Sequence, residues 1–530
     1  MKNGEKYSRK SFLNLLFWAG LSLPFLQYCI KKGKGFLLKV TGTNSILGHR
    51  LWAKDFPKPT EEIITKFLVV GAGISGLSAC RFFAQNNETD FLLLDMEDKV
   101  GGNSSNGENQ FSKFPLGAHY LPFPNKEDQE IIAFLKESKM YLGDDENGNP
   151  ILDDEQLTFP QQERLFFKNT WQNDLLPQTG ISEETKKEYH IFFKMMDEFR
   201  TKKDNLGKYW FDIPIHNSSK EQNLLDLEKI TFENWLHSKN LKSEELLWYL
   251  DYSCRDDFGL GIKSVSAWIG IHYFAGRKNN WVKNREDQVF SWPEGNARLA
   301  KHLSKFSSGK TLTKNLAYQV EINNDKVEVL VFDDLAKKSK KIIADKVLFS
   351  TPQFVNQYIF KDRKLRNFKY SPWLLSTITL KNEYGGEVEL AWDNVIYGTK
   401  GLGYIYDQHQ NLDQNLGEKV ITYYKSFSDE NVKKSRKKLF SLNKEELKKI
   451  VLDELKLAHP LIEDYILEMS FHKIGHGMIA PIPNQIFGAE SENLRKNIDD
   501  RIYFAHSDLS GISIFEEAFH QGINAAKQML

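Results

Sequence analysis

The sequence predicts an α/β protein organised on a Rossmann-like βαβ unit, and three observations carry that prediction. Residues 63–105 read IITKFLVVGAGISGLSACRFFAQNNETDFLLLDMEDKVGGNSS. There a short apolar strand, a glycine turn, a helical stretch and a second apolar run ending in Asp95 follow one another. Gly71, Gly73 and Gly76 stand at GxGxxG spacing between strand and helix. Near the other end, RIYFAHSDLSGISIFEEAFHQGINAA supplies one more short apolar strand and a helix from about Phe515.

Each part of the first stretch has a physical task. Residues 67–70 form a buried strand. Gly71 permits a tight turn, Gly73 lets the backbone approach a pyrophosphate, and Gly76 lets helix and strand pack closely. Ile74 and Ser75 open the helix, whose free N–H groups and partial positive charge suit phosphate. Asp95, with Met96 beside it, is placed to accept hydrogen bonds from ribose hydroxyls. These features together predict a dinucleotide site rather than an ordinary glycine turn.

Beyond Asp95 stand Gly101 and Gly102, in DMEDKVGGNSS. This resembles the (E/D)xxxxxGG element of FAD enzymes of the amine oxidase, phytoene desaturase and protoporphyrinogen oxidase superfamily. The resemblance covers about 62–120, 290–352 and 500–530. It implies FAD as cofactor and a discontinuous Rossmann-like FAD-binding domain with an inserted α+β substrate domain. The implied segments are 60–124, 290–352 and 490–530 for the FAD domain. Residues 125–289 form a helical substrate region, and 353–489 a second substrate part.

The resemblance also assigns residues. Asn103 stands where the family carries Arg. Gly117 and Ala118 match a pair passing close to the flavin, which brings His119 and Tyr120 towards the ring edge. Ala317, with Val320, matches a position contacting adenine. Asp508, in His506-Ser507-Asp508, matches an Asp beside the ribityl and pyrophosphate. Ile514 and Phe515 begin a helix resembling the family's terminal one, with Glu516, Ala518, Gly522, Ala525 and Ala526 matching. Its N–H groups would face the flavin carbonyl.

Composition bounds the rest. The chain has 530 residues, 41% hydrophobic and 13% aromatic, enough for two or three domains. Lys+Arg and Asp+Glu both number 71, so the formal net charge is zero and nothing points to nucleic acid. Cys29, Cys80 and Cys254 are too few and too scattered for a disulfide framework or metal spacing. In residues 1–35, Lys2, Lys6, Arg9 and Lys10 precede an apolar run at 12–30. SRKSFLNLL resembles a twin-arginine export signal with Lys10 for the second Arg. A membrane anchor, a lipoprotein signal at Cys29 and a cytoplasmic protein are the competing readings. The expectation is an exported or membrane-anchored chain on the periplasmic side. Residues 33–59 read as a linker.

In the remaining stretches, helices are expected near 127–139 and 182–200, with Phe192, Phe193, Phe199, Trp210, Trp235 and Trp248 as core. Arg255, Asp256 and Asp257 read either as a pocket wall or as a buried ion-pair network. The segment 312–334 reads as two strands with an Asn-Asp turn, and 442–457 as an amphipathic helix capped near Asn443. HKIGHGMIAPIPN reads as a Gly-Pro-rich loop carrying His472 and His476, with His476 a pocket candidate beside His119 and Tyr120. No catalytic base is assigned. The family's aromatic-cage position falls on Ile514, and the strand SPWLLSTITL lacks the family's lysine. The expected function is hydride transfer from a small organic molecule to FAD. A desaturase or dehydrogenase of an apolar substrate and a non-catalytic flavin-binding protein are the alternatives.

Overall fold

The computed structural model describes residues 36–283, 285, 288–382, 390–410, 417–427 and 431–530. The expected targeting segment, with Cys29, lies outside them. Among the described residues no helix is long and apolar enough to cross a membrane.

Two sheets organise the chain. In the first, Thr311–Leu312, Phe91–Leu94, Pro59–Val70, Lys338–Phe349 and Ile502–Phe504 lie side by side, all parallel. Their alternation sends Phe67 and Val69 to one core, and Leu68 and Val70 to the core on the opposite face. The lower half of Lys338–Phe349 pairs antiparallel with Lys326–Asp333, which pairs with Asn315–Asn323. The turn between the last two is Asn324-Asp325, both at positive φ, as its sequence suggests.

Helix Ile74–Gln85 covers one face of this sheet, and the terminal helix Phe515–Met529 packs across it. The two approach so closely that a Cβ on Gly522 would lie 1.9 Å from the carbonyl oxygen of Ser75. The C-terminal element thereby completes a layer begun near residue 60.

The second sheet runs in the order Leu37–Gly42, Ile466–Ile479, Tyr370–Leu380, Lys419–Ser426, Tyr404–Tyr406, Asp393–Ile396, Glu163–Phe167, Thr170–Asn173. Helix Lys444–Ala458 covers one face, started by a capping box between Asn443 and Glu446. Helices Glu183–Thr201, Phe232–Ser238, Glu244–Phe258 and Ala267–Ala275 form a further apolar cluster, where Phe192 and Trp235 are buried.

Three local readings change. Residues 36–58 are an ordered arm rather than a linker. Leu37–Gly42 adds a strand to the second sheet, and helix Ser45–Ala53, capped by Asn44, sinks Leu47 and Leu51 into the first sheet's core. The region 125–289 carries strands as well as helices, two of which extend the second sheet. His472 and His476 lie in strand Ile466–Ile479, not in a loop. The misleading signal was Gly475 and Gly477. A Cβ there would lie 3.0 Å from Phe440 Cε2 and 2.6 Å from Trp373 Cδ1 respectively, so those glycines make room for rings within a strand.

Candidate active site

The glycine motifs meet where the first strand ends. Gly71 leaves Pro59–Val70 at φ +105 with its N–H on the Leu94 carbonyl at 2.8 Å. A Cβ on Gly76 would lie 1.9 Å from the Gly71 oxygen, so only glycine lets the helix sit on the turn. Gly101 donates its N–H to the Ala72 carbonyl at 2.8 Å, which brings Gly102 against Gly73. At Gly73 a Cβ would meet nothing within 4 Å, so this one glycine faces open space.

Helix Ile74–Gln85 has no side-chain cap, and the hydroxyl of Ser75 is buried without a hydrogen-bond partner. Both are unmet donors at a helix N-terminus. Asp95 accepts from the N–H groups of Ala72 at 2.6 Å and Glu97 at 2.8 Å, and burial raises its pKa. Met96 packs on Gly48 of the arm. Asn315 donates its N–H to the Asp95 carbonyl at 2.8 Å, which sets the buried Ala317 two residues along the neighbouring strand.

Asp508 approaches from the C-terminal side. It accepts from the Gln353 N–H at 2.7 Å and the Tyr370 hydroxyl at 2.7 Å, and pairs with His506 Nδ1 at 3.1 Å. Burial alone would raise its pKa; the His506 charge and these hydrogen bonds outweigh it, and the carboxyl sits below the usual range. Ile514 stands at the start of the terminal helix, which also lacks a side-chain cap. Phe515 turns away into the core, stacked 5.9 Å from Phe134. Two uncapped helix starts, an open glycine and an orphaned hydroxyl fit the phosphates of a dinucleotide. Gly71, Gly73, Ser75, Gly76, Gly101 and Gly102 would hold them, with Asp95 at a ribose.

From this cradle the chain passes to an aromatic wall. Asn103 accepts the Ala118 N–H on its carbonyl at 2.9 Å and donates its side-chain amide to the Gly477 carbonyl at 2.6 Å. A neutral amide at 103 therefore ties this turn to the second sheet. A Cβ on Gly117 would strike the Asn103 oxygen at 2.2 Å. His119 follows with its ring 4.7 Å from Tyr424, 4.9 Å from Tyr120 and 5.8 Å from Trp392. Trp392 donates to Ser291 Oγ at 3.1 Å, and that hydroxyl donates to the His119 carbonyl at 3.2 Å. Burial lowers the His119 pKa to about 4, so the ring is neutral at physiological pH.

Behind the wall stand carboxylates. The Tyr120 hydroxyl reaches Asp257 at 3.5 Å, and the Tyr252 hydroxyl reaches Asp393 at 3.4 Å. Burial, with Asp257 and Glu163 nearby, pushes Asp256 up to about 8. Burial raises Asp257 less, to about 6, because Arg277 opposes it. Asp393 is raised well above its usual value by burial, Glu163 and Asp256. Arg277 itself is paired with Glu516 at 2.7 Å.

The sequence named His119 and Tyr120, left Asp256 and Asp257 open, and missed Trp392, Asp393 and Tyr424. No motif marks these three; strand pairing alone brings them in. Arg255 does not pair with the two adjacent aspartates. It bonds Asp251 at 2.9 Å and the Lys400 carbonyl at 2.9 Å, so the ion-pair network excludes them. His476 stacks on Phe354 at 4.0 Å beside Tyr370 rather than on the His119 group.

Comparison with known proteins follows this geometry. A family model described as an NAD(P)-binding Rossmann-like domain matches residues 69–138. No curated protein matches the chain in sequence. Among solved structures, putrescine oxidase bound to putrescine aligns at 15% identity and TM-score 0.59, covering 88% of this chain and 99% of that one. Cyclohexylamine oxidase from Brevibacterium oxydans aligns at 13% identity and TM-score 0.61, covering 88% and 98%. A fatty acid isomerase from P. acnes aligns at 13% identity and TM-score 0.60, covering 88% and 99%. The chain is thus an α/β protein with a dinucleotide-binding domain. Over 88% of its length it shares the fold of putrescine oxidase and cyclohexylamine oxidase.

Proposed function

We propose that this chain is an FAD-dependent oxidoreductase that takes hydride from a carbon bearing a protonatable amine. The observation that carries the reading is the wall of His119, Tyr120, Trp392 and Tyr424 backed by Asp256, Asp257 and Asp393. Aromatic faces and an ionised carboxylate, here Asp257, both attract a cation, and desolvation strengthens that attraction. FAD, when bound, supplies the hydride acceptor. The chain's own residues do the rest. The rings of Tyr120, Tyr424 and Trp392 exclude water and fix the orientation of the substrate. Asp257, held lower by Arg277, offers a negative charge near neutral pH. An amine must lose its proton before its α-carbon can give up hydride, and Asp257 would accept it.

An apolar substrate is the second reading. Leu374 and Leu375 stand in the strand that lacks the resembling family's lysine, and Leu375 packs in the same cluster as Trp392 and Tyr424. That a fatty acid isomerase shares the fold supports this reading. The test is anaerobic bleaching of the purified yellow protein with a panel of mono- and diamines alongside detergent-dispersed fatty acids and polyenes. Bleaching by amines, with peroxide formed on readmitting air, supports the first reading. Bleaching by lipids alone supports the second. A colourless protein that takes up no added FAD overturns both.

A further inference from the structure

The chain carries no net charge, yet one face of it is strongly cationic. Helix Val432–Ser441 reads VKKSRKKLFS and buries Val432, Ser435 and Leu439 against the strands beneath. Lys433, Lys434, Lys437 and Lys438 are all exposed on its outer side. The neighbouring segment 361–369 adds exposed Lys361, Lys364, Arg366 and Lys369 against the single acid Asp362. The two stretches join where Arg436 donates to the Tyr370 carbonyl at 3.2 Å. Among the described residues none of these eight exposed cations has an ion-pair partner.

Apolar side chains stand proud on the same face. Phe440, on the basic helix, is 45% exposed. Trp52 of the arm is 58% exposed and lies 6.0 Å from the ring of Tyr358, itself 39% exposed. Phe354 of helix Gln353–Ile359 stacks at 4.0 Å on His476, in the strand whose Gly475 carbonyl accepts from Arg436 of the basic helix at 2.6 Å. Arm, helix Gln353–Ile359 and helix Val432–Ser441 therefore form one continuous surface.

We propose that this face docks on an anionic lipid bilayer. Lysines at the rim would meet headgroup phosphates, while Trp52, Tyr358 and Phe440 would enter the interface, where amphipathic rings are favoured. Exposed rings beside lysine suit a bilayer interface, which takes the rings while the lysines stay at the headgroups; single-stranded nucleic acid, which also stacks on rings, is the competing outcome of the test. The four lysines of the helix belong to neither the cradle nor the aromatic wall, and the proposal stands whatever the substrate.

The test is co-sedimentation of the full chain with phosphatidylglycerol/phosphatidylcholine vesicles and with phosphatidylcholine alone, at low and high salt. The comparison chain carries Lys433→Gln, Lys434→Gln, Lys437→Gln and Lys438→Gln, which leave the buried side of the helix untouched; its thermal melt serves as folding control. Each basic side chain near an anionic surface contributes roughly fivefold in partition, so the four changes should lower binding to anionic vesicles at least about a hundredfold. Salt should weaken binding of the parent chain, and Trp52→Ser should weaken it further without altering the salt slope. Insertion through residues 1–35 would be indifferent to the four substitutions. Equal binding by both chains, binding without anionic lipid, or tighter capture of the parent by a polynucleotide than by vesicles overturns the proposal.

Discussion

Gly73 and Gly76 stand three residues apart, and the geometry assigns them different tasks, which a pair of alanine substitutions separates. In Gly76→Ala the new methyl would lie 1.9 Å from the Gly71 oxygen and near the Ser350 hydroxyl. Ordinary contact needs about 1.5 Å more, so the helix must slide off its strand, and overpacking of that kind costs about 3 kcal/mol or more. In Gly73→Ala the methyl meets nothing within 4 Å, and φ −73 with ψ −177 is open to any residue. The helix start loses about 0.5–1 kcal/mol and the lost entropy of the unfolded chain offsets a similar amount, so stability should stay within about 0.5 kcal/mol of the parent. The methyl nevertheless fills the space where a pyrophosphate would lie. Urea unfolding with and without FAD reads both effects. At a hundredfold excess over its dissociation constant, FAD should stabilise the parent by about 2.7 kcal/mol. Gly73→Ala should unfold like the cofactor-free parent and gain nothing from FAD, while Gly76→Ala should be unstable throughout. Full flavin retention by Gly73→Ala, or a normal unfolding midpoint for Gly76→Ala, would refute the reasoning.

Further expectations concern charge and capping. If Asp257 must be ionised to hold a cationic substrate, kcat/KM should rise through about pH 6, and Asp257→Asn should abolish that limb. Asp256 holds a proton up to about pH 8 in the folded chain, whereas an unfolded carboxyl loses it near about 3.9. Between those values the folded state binds more protons, so this group lowers stability as pH rises and its effect levels off above about 8. Asp256→Asn should therefore melt higher than the parent in alkaline buffer. Asp508 runs the other way. Its folded pKa is depressed, so its contribution is complete above the unfolded value and fades as pH falls through the folded one. Asp508→Asn should cost about 1–3 kcal/mol at neutral pH, with the difference shrinking in acid. Asn443→Ala, which breaks the capping box, should cost about 1 kcal/mol in urea unfolding and leave flavin content unchanged.

How much of this was legible depends on how local each constraint is. The cradle could be read because three glycines answer to one strand, one turn and one helix, all within reach along the chain. The Asn-Asp turn and the Asn443 cap were legible for the same reason. Trp392, Asp393 and Tyr424 could not be read, because their place depends on the register of strands whose partners lie far off in sequence. Gly475 and Gly477 misled because glycine as a loop former and glycine as room for a ring look alike in one dimension. The arm was missed because its strand is mostly exposed and its helix anchors through only Leu47 and Leu51.

The contact between the Ser78 hydroxyl and the Phe519 carbonyl, at 3.0 Å, joins residues 441 positions apart. At about 5–20 residues per second, a ribosome needs roughly 20 to 90 seconds to travel between them. Throughout that interval the nascent helix Ile74–Gln85 waits with Leu77 and Phe83 unable to find Phe519 and Ile523. A chain released before residue 519 would therefore leave that face of the helix without its packing partner.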